Sequence, residues 1–114
     1  MGRIRLDPEV RKAELLEIAF KLAEKTHYKH VTGVEIAREA GLYHSTIYRY
    51  FRDMAEVRRY IVRQAIKREN LNIIAQAIIA RDVLVKKASV ELKTAALNEA
   101  LKWATKSQKS SASR

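Results

Sequence analysis

The stretch VTGVEIAREAGLYHSTIYRYF, residues 31–51, most constrains what this chain can fold into. Thr32 is a good N-cap residue, and Glu35 three positions later can complete a capping box. A helix is therefore predicted from Gly33 to Ala40. Gly41 follows at once and readily adopts the left-handed backbone conformation that ends a helix in a sharp turn. The pattern predicts a helix, a tight turn and a second helix.

The second of these helices, predicted from His44 to Phe51, has two unlike faces. Ile47 and Phe51 are four positions apart and fall on one side, where they can anchor the helix. The other face carries hydroxyl, imidazole, phenol and guanidinium groups and no carboxylate: His44, Ser45, Thr46, Tyr48 and Arg49. Such a face can enter the major groove of DNA and hydrogen-bond to base edges and phosphates. From spacing alone, a helical hairpin packed only for stability is the alternative.

Helices are also predicted on both sides of this stretch. Asp7-Pro8-Glu9 is a strong helix start, and the first helix should run from Pro8 to about Lys25. Its apolar stripe comprises Leu15, Ile18, Ala19, Leu22 and Ala23, and Tyr28 should turn into the core behind it. In the helix after Thr32, the predicted apolar face comprises Val34, Ile36, Ala37 and Ala40. Asp53 and Glu56 predict a further helix from Met54.

Residues 71–80, LNIIAQAIIA, are the most apolar stretch of the chain. The apolar positions cover more than half of a helix circumference: Ile73, Ile74, Ala77, Ile78 and Ile79. So short a chain offers little surface to bury them, so we expect some of them to face another subunit. Whether the helix from Met54 runs unbroken to Ala80 stays open, because Asn70 and Asn72 are weak helix formers.

A last helix is predicted from about Val83, or after a Ser89 cap, to near Lys106. Its apolar stripe is Val90, Leu97, Leu101 and Ala104, broadened by Leu92, Ala96 and Trp103. The chain then divides into a DNA-binding domain (1–53), a helical dimerisation region (54–106) and a disordered basic tail (107–114). Arg3 and Arg5 form a short basic arm at the other end.

The composition favours an all-α protein that binds a polyanion. Only three glycines and one proline are present, and there is no cysteine, so no disulfide framework is expected. The net charge is +10: residues 1–54 contribute +2 and residues 55–114 contribute +8. A small protein this basic usually binds nucleic acid or an acidic membrane face. No apolar run could span a bilayer, so a cytoplasmic, nucleoid-associated protein is expected.

Nothing in the sequence indicates catalysis, a metal or a cofactor. His27 and His30 are three apart, but no carboxylate or cysteine completes a ligand set. His44 and Ser45 are neighbours on a helix and therefore do not face each other. A nucleophile would also need an orienting acid and an oxyanion site. The chain is therefore predicted not to be an enzyme and to need no cofactor.

The same residues resemble the DNA-binding domain of TetR-family regulators. The resemblance covers roughly residues 8–60 and is carried by Leu15, Ile18, Ala19, Tyr28, Thr32, Ile36-Ala37, Ala40-Gly41 and the run Ser45-Thr46-Ile47-Tyr48-Arg49-Tyr50-Phe51. His27, Tyr43 and Met54 stand where the family usually has a glycine, a capping serine and a phosphate-binding lysine. The resemblance implies an all-α fold, a TetR-like three-helix helix-turn-helix domain followed by two longer dimerisation helices.

By this resemblance, one surface should lie against double-stranded DNA, with Arg52 or Arg58 in place of the phosphate-binding lysine. We predict that it comprises Thr32, Tyr43, His44, Ser45, Thr46, Tyr48, Arg49, Tyr50 and Arg52. The expected function is a homodimeric, sequence-specific transcriptional regulator, a repressor of an inverted-repeat operator. Family members usually carry a larger ligand-binding domain, and so little chain follows Met54 that no small-molecule inducer is expected.

Two other functions remain open on the sequence. The same fold could coat or bridge DNA in partition or packaging, which the charge of the second half favours. A basic helical module that binds a membrane surface or an acidic protein is the third alternative. A footprint separates the first two, since a regulator protects a discrete palindrome and a coat protein protects DNA in a spreading pattern.

Overall fold

The computed structural model describes the backbone of residues 7–112 and the side chains of residues 7–104, and all regular elements in that range are helical. The chain divides into two compact units, Met1–Ile61 and Val62–Arg114. The basic arm predicted at Arg3 and Arg5 lies outside the described residues. No helix of the described range is both long enough and apolar enough to cross a membrane.

The first unit begins with α1 (Pro8–Lys25), which starts where the sequence predicts. The carboxylate of Asp7 accepts a hydrogen bond from the Glu9 amide, and the proline occupies the first helical turn. A 3₁₀ turn (Tyr28–His30), α2 (Gly33–Ala40) and α3 (His44–Ile47) follow, and then the start of α4 (Met54–Arg68). Helix α2 packs against both α1 and α3, so three short helices enclose a core.

The core of the first unit follows the predicted stripe of α1 in part, because Ile18 and Leu22 are only half-buried. Its buried side chains include Leu15, Ala19, Phe20, Ala23, Tyr28, Ile36, Ala37, Ile47, Phe51 and Val57. Tyr28 turns into the core as predicted. Val34 does not belong to it, because this side chain is 49% exposed, and its assignment to the apolar face of α2 is wrong. Ala40 is only half-buried, so the buried face of α2 is narrower than the pattern indicates.

The second unit contains the rest of α4, then α5 (Leu71–Ile79), a 3₁₀ segment (Val83–Lys87) and α6 (Val90–Ala112). The helix from Met54 is therefore broken rather than continuous to Ala80. Glu69 and Arg81 have positive φ angles of 55° and 61° and end α4 and α5. After each of them the next amide bonds back to a carbonyl of the preceding helix, from Asn70 to Ala65 at 2.8 Å and from Asp82 to Ala77 at 2.9 Å.

Most of the apolar stretch in α5 is buried within the single chain. Ile73, Ile74 and Ala77 have no exposed surface, while Ile79 is 68% exposed. Helix α5 packs along α6, which buries most of the apolar residues of α5. Ile79 is exposed and Ile78 is half-buried, so the expectation that part of this stretch faces another subunit stays a prediction for these two residues.

Helix α6 starts after Ser89, whose hydroxyl accepts a hydrogen bond from the Leu92 amide at 3.0 Å. Its backbone is helical to Ala112, past the predicted end near Lys106 and into the segment predicted as a disordered tail. Ala96 is fully buried, whereas Val90, Leu97 and Leu101 are exposed. The predicted stripe therefore lies on the outer side of the helix.

Candidate nucleic-acid interface

The entry into α2 is fixed by the predicted capping box. The Glu35 amide donates to the Thr32 hydroxyl at 3.2 Å, and the Thr32 amide donates to the Glu35 carboxylate at 3.1 Å. The helix ends at Gly41, which has a φ of 72°. The Leu42 amide then bonds back to the Ala37 carbonyl at 2.8 Å. These local bonds set the sharp turn that leads into α3.

Helix α3 is shorter than predicted. It spans His44–Ile47, and residues 48–50 continue as a turn, so the predicted helix to Phe51 is wrong. The amides of Arg49 and Tyr50 bond to carbonyls three residues back, at 3.0 Å each, whereas an α-helix uses the fourth residue back. The segment stays coiled because the Phe51 amide still bonds to the Ile47 carbonyl at 3.1 Å.

Two buried side chains hold this segment against the domain. Ile47 is completely buried and Phe51 is 2% exposed, four residues further along. Tyr43 is the N-cap residue of α3 and makes no side-chain cap hydrogen bond. The polar side of the segment is thus left to solvent.

All nine predicted DNA-contacting residues lie in the first unit, within residues 32–52. Seven of them are exposed (Thr32, Tyr43, His44, Ser45, Tyr48, Arg49 and Arg52), and two are half-buried (Thr46 and Tyr50). Thr32 is engaged in the capping box, so its hydroxyl already has a structural role. That these residues contact DNA stays a prediction.

Tyr48 has a packing role that the sequence did not indicate. A Cβ atom on Gly33 would lie 3.4 Å from the Tyr48 hydroxyl oxygen and 3.6 Å from Cγ2 of Ile47. The tyrosine ring therefore lies over the start of α2, and yet 58% of the side chain is exposed. Tyr43, at 85%, is the most exposed large apolar side chain described. Two aromatic rings are therefore exposed at this surface. The Tyr48 ring packs over Gly33, and the Tyr43 ring is almost fully exposed.

A carboxylate holds the loop that follows residues 43–50, which we call the recognition segment because it contains seven of the nine residues predicted to contact DNA. Glu56 accepts the Arg52 amide at 3.0 Å, and its other oxygen pairs with the Lys12 ammonium at 2.9 Å. The backbone hydrogen bond from Arg52 and the hydrogen bond from Lys12 lower the pKa of Glu56. Lys12 also lies 5.7 Å from the centre of the Phe51 ring. The sequence pattern identifies Glu56 only as a helix-start residue and does not indicate this link to α1.

The histidine pair near the first 3₁₀ turn is a structural feature. His27 stacks on Tyr28 with ring centres 5.3 Å apart, and His30 lies 4.9 Å from His27. The His27 ring nitrogen Nδ1 accepts the Lys29 amide at 3.1 Å. Partial burial, and then the nearby His30 and Lys29, lower the pKa of His27. Among the described residues, no group of three or more metal-ligating side chains is found.

The comparisons with known proteins agree with this geometry. The family model described as "Bacterial regulatory proteins, tetR family" matches residues 15–61. The match begins in α1, spans the helix-turn-helix and ends in α4, so the second unit lies outside it. Neither the comparison with curated proteins nor the comparison with solved structures found a match. Residues 15–61 are therefore the helix-turn-helix domain of the tetR family of bacterial regulatory proteins, and the chain that carries it is a DNA-binding transcriptional regulator.

Proposed function

We propose that this chain is a homodimeric repressor that recognises an inverted-repeat operator through residues 43–50. The observation that supports it most is the division of that segment into two sides. Ile47 and Phe51 are buried, while hydroxyl, imidazole, phenol and guanidinium groups point outward beside them. Hydrogen-bonding groups on a rigidly anchored, acid-free surface suit base edges and phosphates.

The partner that we propose for dimerisation is a second copy of α6. Along this helix Val90, Thr94, Leu97, Leu101 and Ala104 repeat at alternating steps of four and three, and all five are exposed. This is the spacing of a coiled-coil seam, in which side chains of one helix enter the gaps of another. The helix has 23 residues, about 35 Å at 1.5 Å per residue. Two copies joined here would present two recognition segments to a two-fold operator.

Regulation without a small-molecule inducer stays part of the proposal. The argument that the second half of the chain has too little room for a ligand is weakened, however. The second unit has clefts of about 330 Å³ and 360 Å³, comparable in size to small ligand sites. Lack of room therefore does not exclude a ligand. Control by protein concentration, a protein partner or competition for DNA remains our proposal, as does a nucleoid location.

A DNA-coating function is the second candidate, favoured by the charge distribution. Residues 55–114 contribute +8 of the net charge of +10, although the matched domain lies mostly in the other half. Charge of this kind supports binding that depends on salt rather than sequence. A footprint on long DNA decides between the two, because a repressor protects one palindrome and a coat protein protects a growing region.

The experiment that tests the proposed function is selection of bound sequences from random duplexes at two salt concentrations. We expect enrichment of an inverted repeat that persists at the higher salt. Enrichment of a single unrepeated site would exclude the dimeric repressor, and no enrichment at either salt would exclude sequence-specific recognition. Sedimentation equilibrium of the free protein provides a separate test of the dimer.

A further inference from the structure

We propose that the second unit carries its own, sequence-independent site for nucleic-acid phosphates. It is a groove of about 360 Å³ lined by Arg63, Lys67 and Lys87, with Gln64 and Ile66. We call it the basic groove. The proposal rests on this chain's being a DNA-binding protein, but it does not depend on the recognition segment or on the operator.

Three cations from two elements converge on the basic groove. Arg63 and Lys67 are one helical turn apart on α4, so their side chains leave the helix on the same side. Lys87 comes from the 3₁₀ segment after α5. All three are exposed, and within the described part of the chain none of them forms an ion pair. Arg68 is set apart from them because its guanidinium Nε donates to Gln64 at 3.2 Å.

The acidic residues of the second unit lie elsewhere. Glu69 and Glu91 line a separate cleft of this unit, and none of its lining residues is a cation. Asp82 caps the 3₁₀ segment by accepting the Leu84 amide at 3.0 Å, and Glu99 lies 3.9 Å from the Lys102 ammonium. The basic groove and this cleft are therefore lined by charges of opposite sign. A groove of unneutralised cations is complementary to an anion.

The charge of the whole unit favours nucleic acid over a small anion. Residues 62–114 hold eleven Lys and Arg against four Asp and Glu, whereas residues 1–61 hold twelve against nine. The unit without the helix-turn-helix is thus the more basic of the two. A small anion would need only the three groove cations, but a surplus spread over a whole unit matches a polyanion, which releases counterions on binding.

A pair of charge-matched double variants tests the basic groove. Lys67→Gln with Lys87→Gln removes two groove cations, and Lys86→Gln with Lys93→Gln removes two cations of the same unit that do not line it. Binding to a random-sequence duplex is measured over a range of salt concentrations. We expect the slope of log K against log salt to fall by about 2 in the groove variant, from about 0.9 per phosphate contact. The control variant should keep its slope, and both should unfold in urea as the parent does.

An equal fall of this slope in both variants would mean that only net charge matters, and it would overturn the proposal. An unchanged slope in the groove variant would also overturn it. Selective loss of binding to anionic phospholipid vesicles, with DNA binding intact, would overturn it in favour of a membrane surface. Operator enrichment is measured in parallel. If enrichment fails while the groove variant still shows the reduced slope, the repressor proposal fails and the basic groove stands.

Discussion

Replacing Glu56 by Ala should destabilise the domain and loosen the end of the recognition segment. A hydrogen bond to a charged acceptor contributes about 1.5–3 kcal/mol when buried. The side chains of Lys12 and Glu56 are 33% and 32% exposed, so solvent screens both interactions. We take about 1 kcal/mol for the hydrogen bond from Arg52 and about 0.5 kcal/mol for the ion pair. The free energy of unfolding should fall by about 1.5 kcal/mol in total.

Two further variants separate these contributions. Glu56→Gln keeps an oxygen that can accept the Arg52 amide and loses the ion pair, so we expect a loss of about 0.5 kcal/mol. Lys12→Met keeps an apolar stem near Phe51 and loses the same ion pair. In the double variant the two losses should not add, leaving a coupling of about 0.5 kcal/mol. Urea unfolding followed by circular dichroism, at one fixed protein concentration, measures the parent, the three single variants and the double variant.

The pH dependence provides an internal check. The pKa of Glu56 is lowered below its ordinary value of 4.5, so the folded state binds this proton less readily than the unfolded state. Its contribution to stability is therefore complete above that value and is lost as pH falls through the lowered pKa. Glu56→Gln should flatten this part of the stability profile. The reasoning is refuted if Glu56→Ala unfolds like the parent, or if Gln is as harmful as Ala.

Three more predictions concern the turn, the recognition surface and the dimer. Gly41→Ala should lower the free energy of unfolding by about 1–2 kcal/mol because of the positive φ at this position. Gly33→Ala should be neutral or stabilising by up to about 1 kcal/mol, since a methyl group meets only ordinary contacts there. Urea unfolding compares the two variants. Tyr48→Phe should leave stability unchanged and weaken operator binding by about 1–3 kcal/mol, as measured by fluorescence anisotropy. Leu97→Glu should weaken self-association by tenfold or more, about 1.4 kcal/mol, in sedimentation equilibrium.

Each of these has a matched control. Tyr60→Phe removes a hydroxyl from a half-buried tyrosine outside the predicted contact set and should leave DNA binding intact. Val10→Glu makes the same change as Leu97→Glu at an exposed apolar position on α1 and should leave the dimer intact. A Gly33→Ala variant less stable than Gly41→Ala would contradict the assignment of the turn. Dimers unaffected by Leu97→Glu would remove α6 as the interface.

The helix-turn-helix could be predicted from the sequence because its signals are local. The capping box at Thr32, the positive φ at Gly41 and the anchors Ile47 and Phe51 each depend on residues within four positions of one another. The surface that we predict to contact DNA was also identified from local chemistry. The extent of α3 was not predicted, because residues 48–50 use the three-residue hydrogen bonds that are frequent at the ends of α-helices.

The sequence by itself therefore determined where helices start and which residues are apolar enough to be buried. Only the tertiary structure decided what buries them. Helix α5 is covered by α6 of the same chain except at Ile79, and the outer stripe of α6 is left exposed. The physical reason is that burial depends on contacts between residues that lie far apart in the sequence. The positive φ angles at Glu69 and Arg81, which carry no glycine signal, turn the chain so that these helices meet.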